Sequence, residues 1–218
     1  YVSWLANIAA TCEKILQEIR NLQRSELQEA GEGFDVKKQV GSSTMAHKKN
    51  PIKSENASGL ARIVRSMIIP TYENALLWHE RDLANSSSER FTLSHGSALC
   101  EDVISKTRNV LTNMWVDAER CLENIKAQRG LVMAEKVMIE LVEHGIPRDE
   151  AHEILRAASF EAVDKKIELI DVCSRTPEIT AAFSAEELEA MFEPMNHIGV
   201  SGEIVDECVK LAREAISG

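Results

Sequence analysis

The sequence predicts an all-α protein: the long helices of a bundle followed by a small, all-helical C-terminal domain. Three observations carry that prediction. Apolar residues recur at spacings of three and four over long stretches, segments of alternating polarity are nearly absent, and Pro and Gly punctuate the last third at short intervals. A chain of 218 residues with 44% apolar composition can bury a sizeable core.

The elements follow in order. Leu5, Ile8, Cys12, Ile15, Ile19 and Leu22 form a seam suited to bundle packing, so the first long helix starts at the beginning of the chain and fades near Gly31 and Gly33. Residues 34–53 show no helical period and form a loop too long for a plain connector. A second helix carries Leu60, Ile63, Val64, Met67 and Ile68, with Pro70 interrupting it before Ala75, Leu76 and Trp78. A third long helix is expected to carry Leu99, Val103, Ile104, Val110, Leu111, Met114, Trp115, Leu122 and Ile125. Gly130 marks a change of scale, dividing residues 1–129 from residues 130–218. Beyond it HGIP, SRTP and FEPMNHIG separate shorter helices, and Pro147 followed by Asp149 and Glu150 reads as a helix start with acids at its positive end.

Composition excludes several classes. The net charge of −10 argues against a nucleic-acid surface over the whole molecule, and no apolar run is long enough for a membrane helix. Five widely spaced cysteines without a CxxC pair read as reduced thiols of a cytoplasmic protein. His152 and Glu153 lack the second histidine of a metalloprotease helix, so no metal site is read there. His144 and His197 read as helix-end residues, His79 and His95 as structural hydrogen-bonding groups, and Met133, Met138 and Met191 as core filling. The opening YVSWLAN begins in helical register without an initiator Met, which reads as a chain whose N-terminal part is absent.

Chemistry concentrates in two stretches. In GSSTMAHKKNP, residues 41–51, Gly41, Ser42 and Ser43 allow backbone N–H groups to line a concavity, and Lys48 and Lys49 add charge suited to an anionic ligand or transition state. A solvated loop kept soluble by its lysines is the plain alternative. In WHERDLANSSSER, residues 78–90, Arg90 lies one helical turn from Ser86, so hydroxyl, N–H groups and guanidinium could converge on a phosphate. The alternative there is local pairing among Glu80, Arg81, Asp82, Glu89 and Arg90.

GSSTMAHKKNP resembles GSSxMPxKxNP, the signature of the fumarase/aspartase superfamily, departing from it at Ala46, where the family has Pro. WHERDLANSSSER resembles the corresponding stretch of the adenylosuccinate lyase family, and residues 130–218 resemble that family's C-terminal helical domain. The resemblance implies β-elimination of fumarate from a succinylated purine nucleotide, with no metal or organic cofactor. By it Ser42 is the general base, while Lys48 and Asn50 hold the substrate carboxylate with Ser43 and Met45 beside them. Glu55 orients a catalytic histidine; as a carboxylate near a helix start it is also what the dipole alone would favour. Arg81, Ser86 and Arg90 bind the phosphate and purine parts of the substrate.

The resemblance also implies a homotetramer whose complete site draws on three subunits, with the catalytic histidines on segments N-terminal to this chain. The chain alone is therefore expected to be inactive, and residues 35–54 to be mobile without ligand. Argininosuccinate lyase and carboxymuconate cycloisomerase share the first signature, and the HERD and SSSER cluster speaks against both. A non-catalytic helical oligomerisation module is the alternative from another class.

Overall fold

The computed structural model describes residues 1–33 and 48–217, and it divides into two units, Tyr1–Cys121 and Leu122–Gly218. The first is built on three packed helices. Helix α1, Val2–Leu22, buries Leu5, Ala9, Leu16 and Ile19. It ends well before the glycines: Gln23 to Glu29 form turns, with Gln28 at φ 55°, and lead into a two-residue strand β1, Ala30–Gly31. Gly31 and Gly33 act through close approach rather than through turn conformations. A Cβ on Gly31 would lie 2.6 Å from Trp115 Cζ2, and one on Gly33 would collide with the Asn113 carbonyl oxygen.

Helix α2, Ile52–Ser66, presents an inner face of small side chains: Ser54, Ala57, Ser58, Ala61 and Val64 are all essentially inaccessible. Small side chains let α1 and α2 pack closely, and helix separation is set by the residues at the contact. The helix breaks at Met67, and α3, Ile68–Glu73, follows. Pro70 explains the break, because its ring crowds the carbonyl four residues earlier, at Ser66, and it brings no N–H to that bond. Leu76 and Trp78 lie beyond α3 and are exposed rather than continuing an apolar face.

The expected third helix is three helices. Helix α4, Ala84–Thr92, gives way at Leu93 to α5, Ser94–Asn113, where Ser94 and Ser97 hydroxyls donate back to the carbonyls of Arg90 and Leu93 and compete with helical geometry. At Met114 the backbone turns extended, and strand β2, Trp115–Val116, pairs antiparallel with β1. The ladder, continued by the Asp117 N–H to the Glu29 carbonyl at 2.8 Å, gives this backbone partners outside a helix, and Asp117 then caps the Arg120 N–H of α6, Ala118–Lys126. Leu16, Ile19, Ala57 and Val110 form one core cluster of the unit, and Leu5, Ala9, Ala61, Val64, Cys100 and Val103 the other.

The second unit is a set of helices around a separate core. After a 3₁₀ turn at Leu131–Met133 come α7, Ala134–Glu143, and α8, Arg148–Lys165, which at 18 residues is longer than the short elements expected here. Then follow α9, Leu169–Cys173; α10, Pro177–Ala182; α11, Ala185–Phe192; a 3₁₀ turn at Pro194–His197; and α12, Ser201–Ser217, which is exposed along its length and contributes nothing to that core. Val137, Leu141, Leu155, Leu169, Ile179 and Leu188 fill the core. Cys173 is buried there, and burial pushes its thiol up to about 11. Met133 and Met191 are buried as expected, and His144 and His197 sit at helix ends, each bonded through a ring nitrogen to a backbone carbonyl.

Helix α11 starts with a capping box. The Ser184 hydroxyl accepts from the Glu187 N–H, and the Glu187 carboxylate accepts from the Ser184 N–H at 2.8 Å. The Ser184 N–H first, and the Ser184 hydroxyl after it, hold the Glu187 carboxyl below its ordinary value. A lowered folded-state value contributes stability above the unfolded value that is lost as pH falls through the folded one. Ser184→Ala is expected to cost about 1 kcal/mol in a denaturant titration at neutral pH, and because the Ser184 N–H that chiefly holds the Glu187 carboxylate is kept, the variant should retain most of the wild-type loss of stability in acid.

Candidate active site

Helix α2 begins just after the first signature, and Pro51, its N-cap, has no side-chain acceptor for the amides of the first turn. A residue from another segment supplies it. The Glu32 carboxylate accepts from the Lys53 N–H at 3.2 Å and from both the N–H and the hydroxyl of Ser54 at 3.0 Å. Gln23, at the end of α1, accepts from the Glu32 N–H and donates to the Lys49 carbonyl, both at 2.8 Å. Lys53 reaches across to Asn109 of α5 at 2.7 Å.

These links border an open cavity of about 950 Å³. Lys48, Lys49, Asn50 and Glu55 line it from the signature and the first turn of α2, Arg20 lines it from the last turn of α1, and Arg24 from the turn just beyond. Among the described residues Arg20 is bonded to the neutral Gln17 side chain and Arg24 to the Asn21 carbonyl, and neither is paired to an acid, so both keep their charge for the cavity. A wall with four cations suits a polyanionic ligand. Three expected site residues, Ser42, Ser43 and Met45, lie outside the described residues, as does most of the segment expected to be mobile.

The second cluster stands elsewhere. Helix α2 starts near the end of α5, where Lys53 meets Asn109, and ends near its start, where Met67 approaches Gly96. Helix α4 precedes that start and packs against α3, with the Ser88 hydroxyl donating to Asn74 Oδ1 at 2.6 Å. Lys48 and Asn50 are thus separated from Ser86 and Arg90 by about the length of α2, whose 15 residues span ~22 Å. The structure does not bring the two motifs together within one chain.

Within the second cluster the alternative, local pairing among its charges, is not seen among the described residues. Asp82 caps α4 through the Ala84 N–H and also accepts from the Trp78 N–H, while Glu89 accepts from Asn85. Among the described residues no ion pair ties Arg81 or Arg90 to an acid, and both are exposed. Glu80 and Arg81 adopt left-handed backbone, φ 62° and 68°, a conformation that costs energy for non-glycine residues and collects at functional sites. Asn74 Nδ2, Asn85 Oδ1 and Thr92 Oγ1 are buried without a hydrogen-bond partner, and all three lie on or beside α3 and α4. His79 is exposed, and His95 stacks on Phe91 at 5.3 Å. Among the described residues no group of His, Cys, Asp and Glu could hold a metal ion, and no helix is long and apolar enough to cross a membrane.

Sequence reading missed Arg20, Gln23, Arg24 and Glu32. The signal for Glu32 was present: a helix entered through Asn50 and Pro51 lacks its own cap, so an acceptor must come from elsewhere.

Comparison with known proteins bears on the family and the fold. Residues 130–208 match the family profile "Adenylosuccinate lyase C-terminus", and residues 1–66, which include the first signature, match "Lyase". An adenylosuccinate lyase of Archaeoglobus fulgidus is 42% identical over 216 residues, 99% of this chain and 48% of that protein. One of Methanothermobacter thermautotrophicus is 42% identical over 96% of this chain and 47% of its own length. Among solved structures, the 3-carboxy-cis,cis-muconate lactonizing enzyme of Pseudomonas putida superposes with a TM-score of 0.83 at 27% identity, covering 96% of this chain and 45% of that one. A fumarate lyase of Mesorhizobium gives the same TM-score and identity over 94% of this chain and 45% of its own. The chain spans about half the length of the curated relatives it matches. The lactonizing enzyme shares the architecture, but the sequence stands nearer the adenylosuccinate lyases. By profile, by sequence and by fold, the chain belongs to the adenylosuccinate lyase family of the fumarase/aspartase superfamily.

Proposed function

We propose that this chain supplies part of the active site of a cytoplasmic, homotetrameric adenylosuccinate lyase. The enzyme eliminates fumarate from adenylosuccinate to give AMP, and from the succinylated aminoimidazole carboxamide ribotide of purine synthesis. The observation that carries the reading is the cationic cavity at the start of α2, where Lys48, Asn50 and Glu55 stand together at the end of an elimination signature.

In this reading Ser42 takes the proton from the carbon beside a carboxylate. The electron pair left behind spreads into that carboxylate, and Lys48 and Asn50 stabilise the doubly charged aci-carboxylate. The pair then forms the carbon–carbon double bond of fumarate as the C–N bond breaks. The nitrogen leaves as an amine, protonated by a histidine that Glu55 helps orient and that another segment supplies. Arg20 and Arg24 face the same anion. Arg81, Ser86 and Arg90 take the nucleotide end, as guanidiniums unspent on acids would allow. No cofactor is needed, because every proton moves between side chains and substrate.

The test is fumarate release from adenylosuccinate and, separately, argininosuccinate, by the full-length protein and by the 218-residue chain alone. Release by the full-length protein from adenylosuccinate only, with a silent isolated chain, is the expected result. Release from argininosuccinate, or from neither substrate by a folded oligomer, overturns it.

A further inference from the structure

We propose that Glu32 is a positioning residue of the elimination site: from outside α2 it caps the helix and, through Gln23, fixes the backbone that carries Lys48, Asn50 and Glu55. The inference rests on reading this cavity as an elimination site. It assigns a role to a residue that belongs to neither signature.

The amides at the start of α2 can be accounted for one by one. Ile52 N–H bonds the Asn50 carbonyl and Glu55 N–H bonds the Pro51 carbonyl, both at 2.9 Å. The two between them, on Lys53 and Ser54, go to Glu32. An ordinary cap belongs to its own helix and moves with it. This one is anchored to other elements. Glu32 follows β1, which is paired to β2, and precedes Gly33, which presses on the Asn113 carbonyl at the end of α5. Gln23 joins the same node to the end of α1 and to the Lys49 carbonyl.

Glu32 is the one buried charged side chain among the described residues, 5% exposed, and Ser54 beneath it is fully buried. Three donors at one carboxylate repay its desolvation and commit it to holding the start of α2. Its effect on catalysis is therefore indirect. It sets the direction in which α2 starts, and hence where Lys48 and Asn50 enter the cavity and where Glu55 points on the first turn. Displacements of about 1 Å at such groups can cost about 100-fold in rate.

The experiment uses the full-length protein with Glu32→Gln, Glu32→Asp and Gln23→Met. A glutamine keeps the shape of Glu32 but turns a donor toward one of the amides. Expected is a fall in kcat of about 10- to 100-fold for Glu32→Gln with a smaller change in KM, partial rescue in Glu32→Asp, and faster hydrogen exchange at the Lys53 and Ser54 amides. Gln23→Met, which removes the links to the Lys49 carbonyl and to the Glu32 N–H but not the carboxylate's bonds to Lys53 and Ser54, should lower kcat less while leaving the cap. Should Glu32→Gln fail to fold, Gln23→Met carries the test alone. A folded Glu32→Gln or Gln23→Met oligomer with wild-type kcat overturns the proposal, even if its melting temperature drops, because that is the signature of a merely structural cap. A wild-type protein that releases no fumarate from adenylosuccinate instead defeats the lyase reading.

Discussion

Replacing Lys48 by Ala in the full-length protein is expected to lower kcat for adenylosuccinate by about 100- to 1,000-fold, the cost of removing one preorganised stabiliser of developing charge. On the proposed reading the ammonium meets a carboxylate in the ground state but a doubly charged aci-carboxylate at the transition state, so the loss should fall more on kcat than on KM. Stability should barely change. Lys48 is exposed, lies ahead of α2 and belongs to no core cluster, and such surface changes stay within about 0.5 kcal/mol. Lys48→Arg should not restore full activity, since a planar guanidinium cannot occupy the position of a compact point charge. Steady-state rates beside a thermal melt decide the matter: kcat within about twofold of wild type would remove Lys48 from the mechanism.

The parts of this chain legible in its sequence are those set by local chemistry. The seam from Leu5 to Leu22 specifies α1, Pro70 specifies a break in its neighbourhood, and Pro147 with Asp149 and Glu150 specifies the start of α8. What could not be read depends on partners distant in sequence. Met114 and Trp115 continue a helical apolar pattern, yet a two-residue ladder with Ala30 and Gly31 takes their backbone out of the helix. The glycines near residue 32 look like turn residues but serve close contacts with Trp115 and Asn113. The site divides in the same way. Lys48, Asn50 and Glu55 were found as types in a pattern, whereas Arg20 and Arg24 look like the solvated face of α1 until the fold sets them across the cavity from those residues.

The separation of the two motifs gives the other large effect. Lys48 and Arg90 stand at opposite ends of a helix ~22 Å long, too far apart for one nucleotide to be held by both from the same chain. If both act on one substrate, each site must combine the α2 start of one chain with the α4 of another. Lys48→Ala and Arg90→Ala variants, each nearly silent alone, should then regain activity when coexpressed or refolded together, because some sites in a mixed oligomer carry neither lesion. Random mixing leaves roughly a quarter of the sites intact in a closed symmetric assembly whose sites are shared between chains. Were both residues drawn from one chain, every site in the mixture would carry a lesion, and no recovery would occur at any ratio. Mixed oligomers verified by native mass spectrometry that stay inactive would therefore refute the shared site. Recovery that peaks at equal proportions of the two variants would account for a fold that keeps its two binding motifs so far apart.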